Sequence, residues 1–189
     1  MARLAPTRSQ GRIEAGLASI NGNLARRVKS GKMTEAEREA TLSLIKPVAS
    51  YEGFGDFDLV IESAVEDEQI KRKIYQTLCP HLKPECLVGS NTSSISITRL
   101  AASTDRPEKF MGIHFMNPVP VMELVELIRG IATEEQTFST AKEFALSLKK
   151  TIAVASASSS TSSSFEATCV ASAAISSVPP AMAKMPLRW

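Results

Sequence analysis

The feature that most constrains this chain is a compact apolar run, Asp58-Leu59-Val60-Ile61-Glu62-Ser63-Ala64, preceded by a loop containing Gly53 and Gly55. Consecutive rather than alternating apolar residues suit a strand buried on both faces of a parallel sheet. Ile70, Ile74, Leu78 and Leu82 then recur at helical spacing. Cys86-Leu87-Val88-Gly89 reads as a second short buried strand, and Ile95 to Ala102 as a helical turn or two. Strand–helix–strand–helix alternation implies βαβ units with right-handed crossovers, and therefore an α/β fold.

The flanking segments extend this pattern. Ile13, Leu17, Ile20, Leu24 and Val28 mark an amphipathic helix over 12–30, which Gly31 ends. Thr34-Glu35-Ala36-Glu37 has the spacing of a capping box and opens a second helix running to about Ile45. Pro47 to Tyr51 is a candidate short strand. Residues 109–117 form the next strand, ending at Asn117-Pro118-Val119-Pro120, because proline lacks the ladder donor. Residues 122–129 form another strand, Phe138, Ala141, Ala145 and Leu148 a helix, and Thr151 to Ala155 a last strand. Seven of the nine residues from Ser156 to Ser164 are serine, and beyond them only Glu166, Lys184 and Arg188 are charged. The expected organisation is a disordered stretch over 1–11, an α/β domain over 12–155 and a disordered Ser-rich tail over 156–189.

Composition excludes several function classes. A net charge of +2 carries no bias towards nucleic acid or membrane. No uninterrupted apolar run is long enough to span a bilayer. Arg3 and Arg8 are not followed by the apolar core of a secretory signal. The first acid is Glu14, as in a transit peptide, but Glu14 already belongs to the first helix, which argues against one. Cys79, Cys86 and Cys169 have an odd count and no metal-ligand spacing, so a reduced, cytoplasmic setting without a metal site is expected.

One of only two histidines, His114, lies in the apolar run Phe110 to Phe115. If the chain turns tightly at Pro118–Val121, positions 114 and 126 sit opposite each other with Cβ atoms about 5 Å apart. A carboxylate beside an imidazole favours the charged ring and fixes its tautomer, which poises a general base for a hydroxyl proton. The plainer reading is a core histidine with a solvated glutamate, and the spacing alone favours it. Ser93 follows a strand that ends near Gly89, where open α/β sheets bind ligands, and Asn117 adds an amide; together they can orient a carbonyl or alcohol. Ser90-Asn91-Thr92-Ser93-Ser94 is equally an ordinary helix N-cap cluster.

Ser90-Asn91-Thr92-Ser93-Ser94, His114-Phe115-Met116-Asn117-Pro118-Val119-Pro120, Glu123-Leu124-Val125-Glu126 and Asp58 to Asp67 stand in this order. With that order and spacing the chain resembles the 3-hydroxyacyl-CoA dehydrogenase family over roughly residues 12–155, and bacterial 3-hydroxybutyryl-CoA dehydrogenases in particular. The resemblance implies NAD-dependent oxidation of (S)-3-hydroxyacyl-CoA to 3-oxoacyl-CoA in fatty acid or butanoate metabolism. It implies that His114 takes the proton of the 3-hydroxyl and that Glu126 orients His114. Ser93 and Asn117 would bind substrate. Glu66 and Lys71 match positions that contact NAD, and Asn91 falls with them. The first helix resembles one placed against CoA, and a dimer is the family's expected state.

Two departures accompany the resemblance. No Gly-x-Gly-x-x-Gly occurs, and Gly53-Phe54-Gly55 lacks both the third glycine and the strand–helix context. The expected fold is therefore an incomplete Rossmann-like NAD-binding domain lacking its first βαβ unit. Near Ser158-Ser159-Ser160-Thr161 the family continues as Phe-Ile-Val-Asn into a helical dimerisation domain. A reading-frame shift of one nucleotide converts codons for one segment into codons for the other, so a frameshift product is expected there. The chain as it stands is expected to be inactive or nearly so. The alternatives are a non-catalytic fragment or interaction module, and a related dehydrogenase of hydroxy acids without CoA.

Overall fold

The computed structural model describes residues 2–4, 10–48 and 50–156. They divide into two compact units, one running to Glu52 and one beginning at Gly53.

The first unit contains β1 (Ala2–Leu4), α1 (Gln10–Lys29), α2 (Glu35–Ser43) and β2 (Ile45–Pro47), with β1 and β2 paired in parallel. Leu24 is the buried position of the apolar stripe on α1. Gly31 has a φ of 69°; its N–H reaches Val28 O at 2.9 Å and that of Lys32 reaches Arg27 O at 3.0 Å. These are the two bonds of a Schellman cap, whose left-handed position favours glycine. The capping box forms as its sequence requires: Thr34 Oγ1 accepts from Glu37 N at 3.2 Å, and Glu37 Oε2 accepts from Thr34 N at 2.8 Å. Two expectations are corrected here. Residues 1–11 are not uniformly without structure, because Ala2–Leu4 pairs with Ile45–Pro47 and α1 begins at Gln10. The short strand lies at Ile45–Pro47 rather than Pro47–Tyr51; in a two-stranded sheet both strands are edges, where a proline without an N–H is tolerated.

The second unit is built on β3 (Leu59–Glu62), β4 (Leu87–Ser90), β5 (Phe110–Phe115), β6 (Leu124–Arg129) and β7 (Thr151–Ser156), hydrogen-bonded in that order. All neighbours are parallel except β5 and β6, which form an antiparallel hairpin. The α3 helix (Glu68–Leu78), followed by a 3₁₀ turn at Cys79–His81, connects β3 to β4; α4 (Ile97–Ala101) lies between β4 and β5; α5 (Glu135–Ser147) connects β6 to β7. Of residues 156–189, where the Ser-rich tail was expected, Ser156 ends β7 and 157–189 lie outside the described residues.

Alternation along β5 and β6 sends Met111, Ile113, Val125 and Leu127 to one face, where they pack with Leu87, Ala141 and Ala145. On the other face, Phe110 meets Tyr75 of α3 edge-on, with ring centroids 5.0 Å apart. Gly89 in β4 allows a close approach: a Cβ there would lie 2.8 Å from Ile113 Cδ1. Among the described residues no helix is long and apolar enough to cross a membrane.

Candidate active site

The C-terminal ends of β3, β4 and β5 lie side by side, with Glu62 in register with Ser90 and Ser90 with Gly112. Open α/β sheets bind ligands at this edge. Here the sheet carries its chemistry-bearing residues.

The antiparallel register makes His114 and Glu126 direct partners. Their Nδ1 and Oε2 atoms are 2.8 Å apart, with the two side chains 17% and 38% exposed. A carboxylate on Nδ1 orients the ring and leaves Nε2 for a reacting proton. The turn that follows is held from a distance. Lys150 donates to the carbonyls of Val119 and Met122, both at 2.7 Å, and Thr151 N donates to Glu123 O at 2.8 Å. Asn117 is exposed at the start of this turn, which also presents Val121 and Met122 to solvent.

The β4–α4 loop supplies the second cluster. Asn91 bridges strands: its Oδ1 accepts from Phe115 N at 2.7 Å, and its Nδ2 donates to Ser63 Oγ at 3.1 Å. The Asn91 side chain is thus occupied by protein partners beside the strand segment that carries His114. Glu66 gathers the loop onto one oxygen. Its Oε1 accepts from Thr92 Oγ1 at 2.5 Å, Ser93 N at 3.0 Å, Ser94 N at 3.1 Å and Ser94 Oγ at 3.0 Å, with Ser93 Oγ at 3.4 Å. Burial pushes the Glu66 carboxyl up, but the donors from Thr92, Ser94 and Ser93 outweigh it and hold the group at about 2. The Glu66 side chain remains 40% exposed.

Lys71, at the first turn of α3, is buried and paired. Its side chain is 1% exposed, and its Nζ lies 2.8 and 3.0 Å from the two oxygens of Glu62. Glu62 also accepts from Tyr75 OH at 2.7 Å, Ser90 Oγ at 2.9 Å and Ala64 N at 2.5 Å. Burial raises the Glu62 carboxyl, yet the bonds from Lys71, Tyr75 and Ala64 bring it below its ordinary value. Burial and the neighbouring Glu62 charge push the Tyr75 phenol well up, so it remains a donor. Glu62, Tyr75, Ser90 and Thr92 were not singled out from the sequence. Two signals were present: a carboxylate closing an apolar run demands a buried partner, and Lys71 and Tyr75 stand four apart on one helical face.

The structure therefore brings His114 to Glu126, Ser93 to Glu66, and Asn91 to the backbone at Phe115. Asn117 lies exposed two residues beyond Phe115. Among the described residues no group of three or more His, Cys, Asp or Glu side chains forms a metal site.

Comparison with known proteins bears on this geometry. The family described as "3-hydroxyacyl-CoA dehydrogenase, NAD binding domain" matches residues 5–158. A 3-hydroxybutyryl-CoA dehydrogenase of Bradyrhizobium diazoefficiens is 59% identical over 146 residues, which are 77% of this chain and 50% of that protein. One from Clostridioides difficile is 42% identical over 144 residues, 76% of this chain and 51% of its own length. The crystal structure of (S)-3-hydroxybutyryl-CoA dehydrogenase from Ralstonia eutropha superposes with a TM-score of 0.77 at 40% identity, covering 79% of this chain and 53% of that one. The chain spans about half the length of the relatives it matches.

Proposed function

The chain belongs to the 3-hydroxyacyl-CoA dehydrogenase family, in the part described as its NAD-binding domain, and on that premise we propose that its residues serve NAD-dependent oxidation of a short-chain (S)-3-hydroxyacyl-CoA to the 3-oxoacyl-CoA. The observation that carries this reading is the His114–Glu126 pair at 2.8 Å, at the sheet edge where ligands bind.

His114 Nε2 accepts the proton of the substrate's 3-hydroxyl, and Glu126 holds the ring through Nδ1 and balances the imidazolium that forms. Ser93, fixed by Glu66, and Asn117 orient the substrate oxygen. NAD, when bound, takes the hydride from the substrate's C3. The residues present fit one end of that cofactor. Glu66 has an exposed carboxylate whose second oxygen can accept from ribose hydroxyls, and Asn91 lies in the β4–α4 loop whose Thr92–Ser94 turn Glu66 holds. No Gly-x-Gly-x-x-Gly occurs among the 189 residues to cradle the pyrophosphate.

That last observation favours a second reading, in which the chain by itself does not turn over. The proposed compartment is the cytoplasm, in keeping with free, buried Cys79 and Cys86. Acyl-CoA is the proposed substrate and a dimer the proposed assembly.

The test is NADH formation from NAD with (S)-3-hydroxybutyryl-CoA and with free 3-hydroxybutyrate. It is run on the chain alone and on the chain joined to a relative's glycine-rich segment. Activity of the joined protein on the CoA thioester only is expected. Activity on the free acid would replace the proposed substrate, and no activity in either form would leave the non-catalytic reading.

A further inference from the structure

The Glu62 carboxylate closes β3, is 6% exposed, and has no place in the proposed reaction. Five donor contacts from Lys71, Tyr75, Ser90 and Ala64 converge on it. The Lys71 ammonium has a second carboxylate nearby, Glu66 Oε2, at 3.8 Å, which is beyond hydrogen-bond distance. One buried cation thus stands between two carboxylates and is bonded to the deeper one. Glu66 meanwhile uses Oε1 for the Thr92–Ser94 turn. Among the described residues its Oε2 has no closer partner than that ammonium.

We propose that Glu62 is a positioning residue: by retaining the Lys71 ammonium it leaves Glu66 committed through Oε1 to the Ser93–Ser94 turn, with Oε2 open as an acceptor. The Lys71 side chain is 1% exposed and its Nζ lies closer to Glu62 Oε1 than to Glu66 Oε2, 2.8 against 3.8 Å, so its charge is committed to the deeper carboxylate. The electrostatics decide the direction. An ammonium with one carboxylate removed is drawn to the other, because a buried charge without a partner costs several kcal/mol. Were Glu62 neutral, the next carboxylate within reach among the described residues would be Glu66. The functional meaning of this arrangement rests on the reading of the site given above; the arrangement itself does not.

The experiment is amide hydrogen exchange followed by NMR on the full chain. In Glu62→Gln, Lys71 is expected to draw Glu66 off the turn. The Ser93 and Ser94 amides then exchange roughly tenfold faster, the net worth of one hydrogen bond. The Val125 and Leu127 amides of the core should change only as global stability changes. In Glu62→Gln/Lys71→Met no ammonium remains to move Glu66, and the two serine amides should regain their protection. Unchanged serine amides in the single variant, or a double variant as fast as the single, would overturn the proposal. Should the single variant not fold, the double variant decides alone: protected Ser93 and Ser94 amides are expected, and fast ones show that Lys71 is needed to hold Glu66 in place. NADH titrated into the wild-type chain at the same amides tests the functional reading separately. The same titration on the chain joined to a relative's glycine-rich segment decides it: silence at these amides in the joined protein removes the cofactor role and leaves the role of Glu62 standing.

Discussion

His114 and Glu126 are exact partners in the β5–β6 register, and their side chains meet at 2.8 Å on one face of the hairpin. The pair is fixed by backbone pairing, so each residue can be changed without displacing the other.

Replacing His114 with Gln, in the chain joined to a relative's glycine-rich segment, should lower kcat by about 10²–10⁴-fold. NADH affinity should stay nearly unchanged, because the base acts on the transition state. Glu126→Gln should also lower kcat, since a neutral amide does not balance the imidazolium. Steady-state rates with an NADH titration check this; near-normal turnover in both variants would make the histidine structural.

Glu66 gives the β4–α4 loop an acid limit. Its carboxyl is depressed in the folded chain to about 2 from 4.5. A depressed group contributes stability that is complete above the unfolded value and lost as pH falls through the folded one. Protection of the Ser93 and Ser94 amides should therefore hold at pH 5 and above, weaken below about 4.5 and vanish near 2. In Glu66→Gln that pH dependence should disappear. A loop whose exchange shows no acid transition in the wild-type chain would contradict the assignment.

Tyr75→Phe removes one donor from the buried Glu62 carboxylate while keeping the ring edge against Phe110. A hydrogen bond to a charged group is worth about 1.5–3 kcal/mol, and urea denaturation should report a loss of that size. A loss below about 0.5 kcal/mol would mean that Lys71 and Ser90 satisfy Glu62 without the phenol.

Gly89→Ala should destabilise the chain by about 1–3 kcal/mol, because the new methyl would meet Ile113 Cδ1 at 2.8 Å. Ile113→Val removes that atom and should recover part of the loss in the double variant. Additive effects in thermal melts would show that the strain lies elsewhere.

The periodic parts of this architecture were legible in the sequence. Leu59 to Ile61 announced a parallel strand through consecutive apolar residues, although that strand stands at the sheet edge and the three side chains are half-buried rather than enclosed on both faces; the equal spacing of 114 and 126 about the proline turn predicted their contact. Thr34 and Glu37 announced a cap because both partners lie within one turn. The Glu62 cluster was not legible, because it joins β3, α3 and β4, and its partners come from positions 9 to 28 residues away. Pro47 was misplaced by its expected strand, since a proline marks a boundary without saying which side is extended. Lys71 was assigned by resemblance to the cofactor; only the packing of α3 shows its ammonium turned inward.

The antiparallel step between β5 and β6 has a consequence for how the His114–Glu126 pair comes into being. Most pairings in this sheet need a crossover before the strands can meet, but His114 and Glu126 are separated by a single turn. The entropy of closing such a short loop is small, and hairpins form on the microsecond scale. The pair is therefore a local product of the chain, available early in folding and independent of the long connections that build the rest of the sheet. A nascent polypeptide would hold this histidine–glutamate pair as soon as the hairpin closed and found a face to pack against.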